Sequence, residues 1–109
     1  METINVTNGE FTLSTEKANM NLAIIHDYLA NQSYWAQNIP IQTVQSAIEN
    51  SLNFGIFHKN EQIGYARRVS DFATVAYLGD VFILPAYRGH GLSKWMIENI
   101  MSHPNLQGL

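Results

Sequence analysis

The spacing of apolar residues changes period along this chain, and each change marks an element. Phe11-Thr12-Leu13-Ser14 alternates apolar with polar after the turn signal Asn8-Gly9, which predicts a short strand. From Asn19 onward Leu22, Ile25, Tyr28 and Leu29 recur three and four residues apart, the period of a helix with one buried face, and the pattern stops near Asn31. Pro40 stands where a second helix can begin, because its fixed φ and missing N–H suit a first turn, and Ile41, Val44, Ala47 and Ile48 then share one side. Tyr34-Trp35 falls in the loop between these helices, either as a lid over the core or as a binding device.

Beyond Asn50 the helical spacing gives way to strand-like runs. Phe54 to His58 and Ile63 to Val69 are joined by Lys59-Asn60-Glu61-Gln62, a hairpin turn by composition. Asp71-Phe72-Ala73-Thr74 leads into a third run, Val75 to Leu84, so three sequential strands with short links form an antiparallel meander. A last helix, Leu92 to His103, turns Leu92, Trp95, Met96 and Ile100 inward and Lys94, Glu98 and Asn99 toward water; Asn105 to Leu109 can begin a further strand. No repeat, low-complexity tract or linker divides the chain, so residues 1–109 are expected to form one domain.

Composition narrows the function classes. With 109 residues, 46% of them hydrophobic and 14% charged, the chain is of globular type and large enough for one core. A net charge of -3 and only six Lys and Arg leave no basic face for broad nucleic-acid binding. Without cysteine there is no disulfide, thiolate metal site or cysteine nucleophile. No apolar stretch approaches the roughly 20 residues that span a bilayer, and no signal sequence is apparent, so a soluble cytoplasmic protein without a membrane partner is expected.

The densest chemical signal is Val81-Phe82-Ile83-Leu84-Pro85-Ala86-Tyr87-Arg88-Gly89-His90-Gly91-Leu92-Ser93-Lys94. An apolar strand breaks at Pro85, passes a glycine-punctuated turn and delivers a helix N-terminus. The first turn of such a helix exposes unpaired N–H groups and partial positive charge, which attract phosphate. Gly89 and Gly91 allow close approach to the backbone, and Arg88 adds a permanent cation, so pyrophosphate binding is expected. A phosphate loop of nucleotide hydrolases would close on Gly-Lys-Ser/Thr, which is absent, and a dinucleotide fingerprint would follow a parallel unit rather than hairpins. The bland alternative is a tight strand-to-helix turn that uses glycine for geometry alone.

Arg88-Gly89-His90-Gly91-Leu92-Ser93 resembles the acetyl-coenzyme A signature of the GNAT acyltransferase superfamily: Gln or Arg, two residues, Gly, one residue, then Gly or Ala. Arg88 and Gly91 fit, and Ser93 keeps the last position small. Val81, Pro85, Tyr87 and Leu92 match the usual context, and the order of elements agrees along the whole chain. The resemblance implies an α/β fold, a mostly antiparallel mixed sheet flanked by helices. It also implies an N-acetyltransferase that moves an acetyl group from acetyl-coenzyme A to a primary amine of a small molecule or protein, with no metal. On that reading the N–H groups of Gly89, His90, Gly91, Leu92 and Ser93, with Arg88, hold the pyrophosphate. Val81, Phe82 and Ile83 pair with the pantetheine arm, and one of their N–H groups polarises the thioester carbonyl.

The attacking amine must be neutral, which calls for a base. Asp80 precedes the motif strand and is the candidate; the alternative is an ion pair with Arg67 or Arg68. His26 and His58 are of a residue type suited to proton transfer but fit surface or capped positions better, His90 suits a phosphate contact, and Asp71 suits a turn bond to its own backbone. The histidines at 26, 58, 90 and 103 are too far apart in sequence to suggest a metal site, and no Gly-x-Ser-x-Gly elbow exists. Tyr28, Tyr34 and Trp35 offer aromatic walls for the acceptor.

GNAT domains usually continue past the motif helix with a strand, a helix and a closing hairpin, whereas this sequence stops at Leu109. The expectation is therefore either a fragment of a longer domain or a C-terminally short domain whose open strand edge recruits a second copy, as a homodimer or strand-exchanged oligomer. A non-catalytic acyl-coenzyme A binding or assembly module is the alternative to an enzyme.

Overall fold

Five strands lie in chain order across one sheet: β1 (Asn5–Asn8), β2 (Phe11–Ser14), β3 (Leu52–His58), β4 (Glu61–Ser70) and β5 (Ala76–Ile83). Every pairing is antiparallel. Three helices accompany them: α1 (Leu22–Asn31), α2 (Ile41–Glu49) and α3 (Leu92–Ser102). This is a computed structural model, and it describes residues 3–70 and 76–102. The predicted link Asp71–Thr74, His103 and the predicted strand from Asn105 lie outside the described residues.

The sheet is apolar on both faces. Leu13, Phe54, Ile56, Ile63 and Ile83 meet Met96 and Ile100 of α3 on one side. Tyr65 and Phe82 meet Ile25, Leu29, Val44 and Ile48 of α1 and α2 on the other. Strand alternation produces this split directly, since Ile83 and Phe82 are neighbours on opposite faces. The layer order is helices, sheet, helix.

The capping chemistry sets the helix bounds. Asn21 Oδ1 accepts from the Ile24 N–H at 3.1 Å, so α1 begins at Leu22, and residues Lys17–Asn19 form a separate 3₁₀ turn rather than its first turn. Pro40 is extended and precedes Ile41, the expected start of α2. The link between β3 and β4 is shorter than its composition predicts. His58 pairs with Glu61, and the two residues between them have positive φ, 51° at Lys59 and 70° at Asn60, as a type I′ hairpin requires. Gln62 therefore belongs to the strand and is buried: its Oε1 accepts from the Asn21 N–H at 2.7 Å, and its Nε2 donates to the Gly64 carbonyl at 3.1 Å. Strand β1 has no apolar alternation to announce it, and is held by its main-chain pairing with β2 across Gly9.

Candidate active site

Strand β5 carries the motif to one edge of the described sheet. Its pairing with β4 continues past Ile83, where the Leu84 N–H donates to the Ile63 carbonyl at 2.8 Å. Pro85 then starts a single 3₁₀ turn, Pro85–Tyr87, and the chain reverses through Gly89 and Gly91 with φ of 88° and 73°. Those values are in the left-handed region that favours glycine. Helix α3 starts immediately afterwards, the Trp95 N–H donating to the Gly91 carbonyl at 3.1 Å. Burial of Leu92, Met96 and Ile100 fixes the helix against the sheet, so its first turn is aimed by the core.

Between β5 and that first turn lies a cleft of about 350 Å³. Val81, Phe82 and Ile83 line one wall and Gly89, Gly91 and Ser93 the other. A Cβ built on either glycine meets nothing within 4 Å, so the space above this backbone is open. The N–H groups of a first helical turn have no intrahelical acceptor, which makes this wall a donor surface. Leu92 also lines the cleft while its side chain is buried, so its contribution is main chain. His90 is exposed and is not among the lining residues; its ring lies 6.5 Å from that of Phe11.

Arg88 binds back onto the scaffold. Its Nε donates to the Ile83 carbonyl at 3.0 Å and its Nη2 to the Tyr28 hydroxyl at 2.8 Å. Tyr28 in turn stacks on Phe82, ring centroids 4.0 Å apart and 10° from parallel. The guanidinium thus joins α1, the end of β5 and the glycine turn at the cleft's edge. Tyr28 has this role through a contact sixty positions distant, which no local pattern signals.

A bulge interrupts the β4–β5 ladder. Tyr65 pairs with Phe82 and Arg67 with Gly79, so Asp80 and Val81 together oppose Ala66. Asp80 has a φ of 55°, rare for a residue with a side chain. Its carboxylate bridges two elements: Oδ2 accepts from Arg67 Nε at 2.6 Å and Oδ1 from Trp35 Nε1 at 3.0 Å. Of the two arginines considered, Arg67 is the partner. Arg67 also donates to Ser51 Oγ at 3.2 Å. Beside this clasp, Tyr65 is buried and donates to Asn53 Oδ1. Burial raises the Tyr65 phenol well above its ordinary value; Arg67 opposes that shift and Asp80 adds to it.

Asp80 and Arg67 line a second cavity, about 220 Å³, between the sheet and the α1–α2 pair. Trp35 lines both cavities. Tyr34, 86% exposed, stands outside them with its ring edge-on to Trp35. The other two described histidines bond within the scaffold: His26 Nε2 contacts the Ile39 carbonyl at 3.0 Å, and His58 lies between the Tyr87 hydroxyl at 3.1 Å and Glu10 at 3.3 Å. Among the described residues no group of three or more histidine or acidic side chains gathers as a metal site would require. No described helix is long and apolar enough to cross a membrane.

Known proteins resemble this chain in sequence and in fold. The sequence profile of the acetyltransferase (GNAT) family matches residues 21–108. A Gibberella zeae protein classed as an acetyltransferase is 29% identical over 113 residues, covering 86% of this chain and 64% of that protein. A histone acetyltransferase of Glycine max is 35% identical over 74 residues, 57% of this chain and 32% of its own length. The chain therefore spans just under two thirds of the fungal relative and about a third of the plant one. A crystal structure from Xanthomonas campestris, of a protein classed as a GNAT acetyltransferase, superposes with a TM-score of 0.89 at 46% identity, over 91% of this chain and 70% of that one. On the profile match and this structural likeness, the chain belongs to the GNAT acetyltransferase family.

Proposed function

We propose that the chain transfers an acetyl group from acetyl-coenzyme A to a primary amine. The observation that carries this reading is the open cleft between the β5 edge and the first turn of α3, with Gly89 and Gly91 at positive φ on its wall. An empty volume beside two glycines and unpaired N–H groups suits a pyrophosphate, and an unpaired strand edge suits an amide-bearing arm. Acetyl-coenzyme A supplies the acyl group as a thioester.

The chain's own residues then have distinct roles. The N–H groups from Gly89 to Ser93 bind phosphate oxygens, and Arg88 adds its charge at the cleft's edge. The main chain of Val81, Phe82 and Ile83 binds the pantetheine arm and presents an N–H to the carbonyl oxygen. Asp80, one residue before Val81, accepts the proton that the amine nitrogen loses. A carboxylate has about four lone-pair sites, and Trp35 and Arg67 fill two, so acceptor capacity remains. In net terms a C–N bond forms, the C–S bond breaks, and the thiolate takes a proton from solvent. On this reading the chain works in the cytoplasm.

Thiol release tests the reading. With acetyl-coenzyme A and a panel of primary amines, the chain should release free thiol in proportion to the amide formed; binding of acetyl-coenzyme A without thiol release from any amine would instead mark a binding module. The same reading includes a homo-oligomer, because β5 pairs only with β4 among the described strands and exposes Tyr77 and Leu78. Light scattering at micromolar concentration should give at least twice the monomer mass, and a monomer would remove that part.

A further inference from the structure

We infer that the acceptor is a small amine with an apolar body, an alkylamine or arylalkylamine, seated in the cavity between α1, α2 and the sheet. The inference rests on the acetyl-transfer reading and narrows it to a substrate class. The cavity wall is built mainly from Ile25, Leu29, Ile39, Val44, Ala47 and Ile48, which reward an apolar body by removing it from water. Only two charged side chains line it, Arg67 and Asp80, and they neutralise each other at 2.6 Å. A polyamine would bring several charges into a site with no unbalanced carboxylate to meet them, and burying an unpaired charge is costly. Size points the same way: sites for drug-sized ligands run about 300–1,000 Å³, and this cavity has about 220 Å³.

Position supplies the second half of the argument. Asp80 lines this cavity and Val81, the next residue, lines the donor cleft. Consecutive Cα atoms are about 3.8 Å apart, so the Asp80 end of this cavity adjoins the Val81 wall of the donor cleft. An amine with its body among the aliphatic side chains has its nitrogen at that end. Trp35, shared by both cavities and held by its bond to Asp80, is the partition between body and donor. The exposed Thr43 and the half-exposed Trp35 mark the mouth.

The test compares hexylamine and phenethylamine with spermidine and a lysine-bearing peptide, by thiol release and by calorimetry on protein saturated with coenzyme A. The two apolar amines should show kcat/KM at least tenfold above the other two and should bind the saturated protein. Ala47→Trp, which fills the cavity, should lower their kcat/KM at least tenfold while the Kd for acetyl-coenzyme A stays within twofold. Ile39→Ala, which enlarges it, should shift preference from hexylamine to octylamine and covers the case in which the first variant fails to fold. Equal or better use of spermidine or the peptide, or no binding of either apolar amine to the saturated protein, overturns the inference. Failure to bind acetyl-coenzyme A at all would overturn the donor reading instead, and the two failures are separately visible.

Discussion

Arg88 joins three parts of the cleft through two bonds, one to the Ile83 carbonyl and one to the Tyr28 hydroxyl. Replacing it with alanine removes a charge from the cleft's edge and both bonds. A charge-assisted hydrogen bond from this guanidinium to a phosphate oxygen would be worth about 1.5–3 kcal/mol, so on the proposed reading Arg88→Ala should weaken acetyl-coenzyme A binding tenfold or more by calorimetry. Asp80 is tested by Asp80→Asn, which keeps the side chain's size but removes its charge and leaves one acceptor oxygen for the two donors Trp35 and Arg67. As a proton acceptor it should lower kcat by about 10²-fold or more, with acetyl-coenzyme A binding within twofold. A purely structural role would instead lower the urea midpoint and leave kcat per folded molecule unchanged. Tyr65 carries a pH prediction. Its folded state favours the neutral phenol, so its contribution is present below the unfolded value of about pH 10 and is lost as pH rises beyond it. Unfolding free energy should fall above that pH by up to about 1.4 kcal/mol per unit, and Tyr65→Phe should flatten that slope. The glycine turn and the pairing of Asp80 with an arginine were legible in the residue types alone. The Arg88–Tyr28 and Trp35–Asp80 contacts were not, since each joins residues that only the tertiary fold brings together.

The elements divide the same way. The α1 and α2 spacing, the meander and α3 follow from apolar period alone, because each buries one face against a common sheet. Polar residues hid what remained. Gln62 reads as part of a turn, yet it is a buried strand residue whose amide satisfies the Asn21 N–H and the Gly64 carbonyl. Asn5–Asn8 lacks an apolar rhythm and is a strand through pairing alone. The hairpin between β3 and β4 gives an element-scale prediction. Lys59 and Asn60 occupy left-handed conformations that Asn-Gly adopts with less strain. The combination of Lys59→Asn and Asn60→Gly should stabilise the protein by about 1 kcal/mol, raising the urea midpoint without changing the m-value. The bulge at Asp80-Val81 is foreshadowed only by Gly79 and Asp80, which interrupt the apolar run there; the register shift itself comes from the pairing with β4.

For the molecule as a whole, function follows from how three layers meet. Helix α3 is pressed on one face of the sheet, which aims its first turn at the β5 edge; α1 and α2 cover the other face and enclose the second cavity. Trp35 lines both cavities, and the bulge carries Asp80 in the wall of one and Val81 in the wall of the other. The donor site proposed for acetyl-coenzyme A is the cleft beside Gly89 and Gly91. Calorimetric titration of acetyl-coenzyme A into the parent chain and into Gly91→Trp, which places an indole in the open space, tests it most directly. One saturable site is expected in the parent and none in Gly91→Trp, with circular dichroism used to show that the variant folds despite the strain of a side chain at a φ of 73°. Absence of binding in the parent, or equal binding in both, would contradict the assignment.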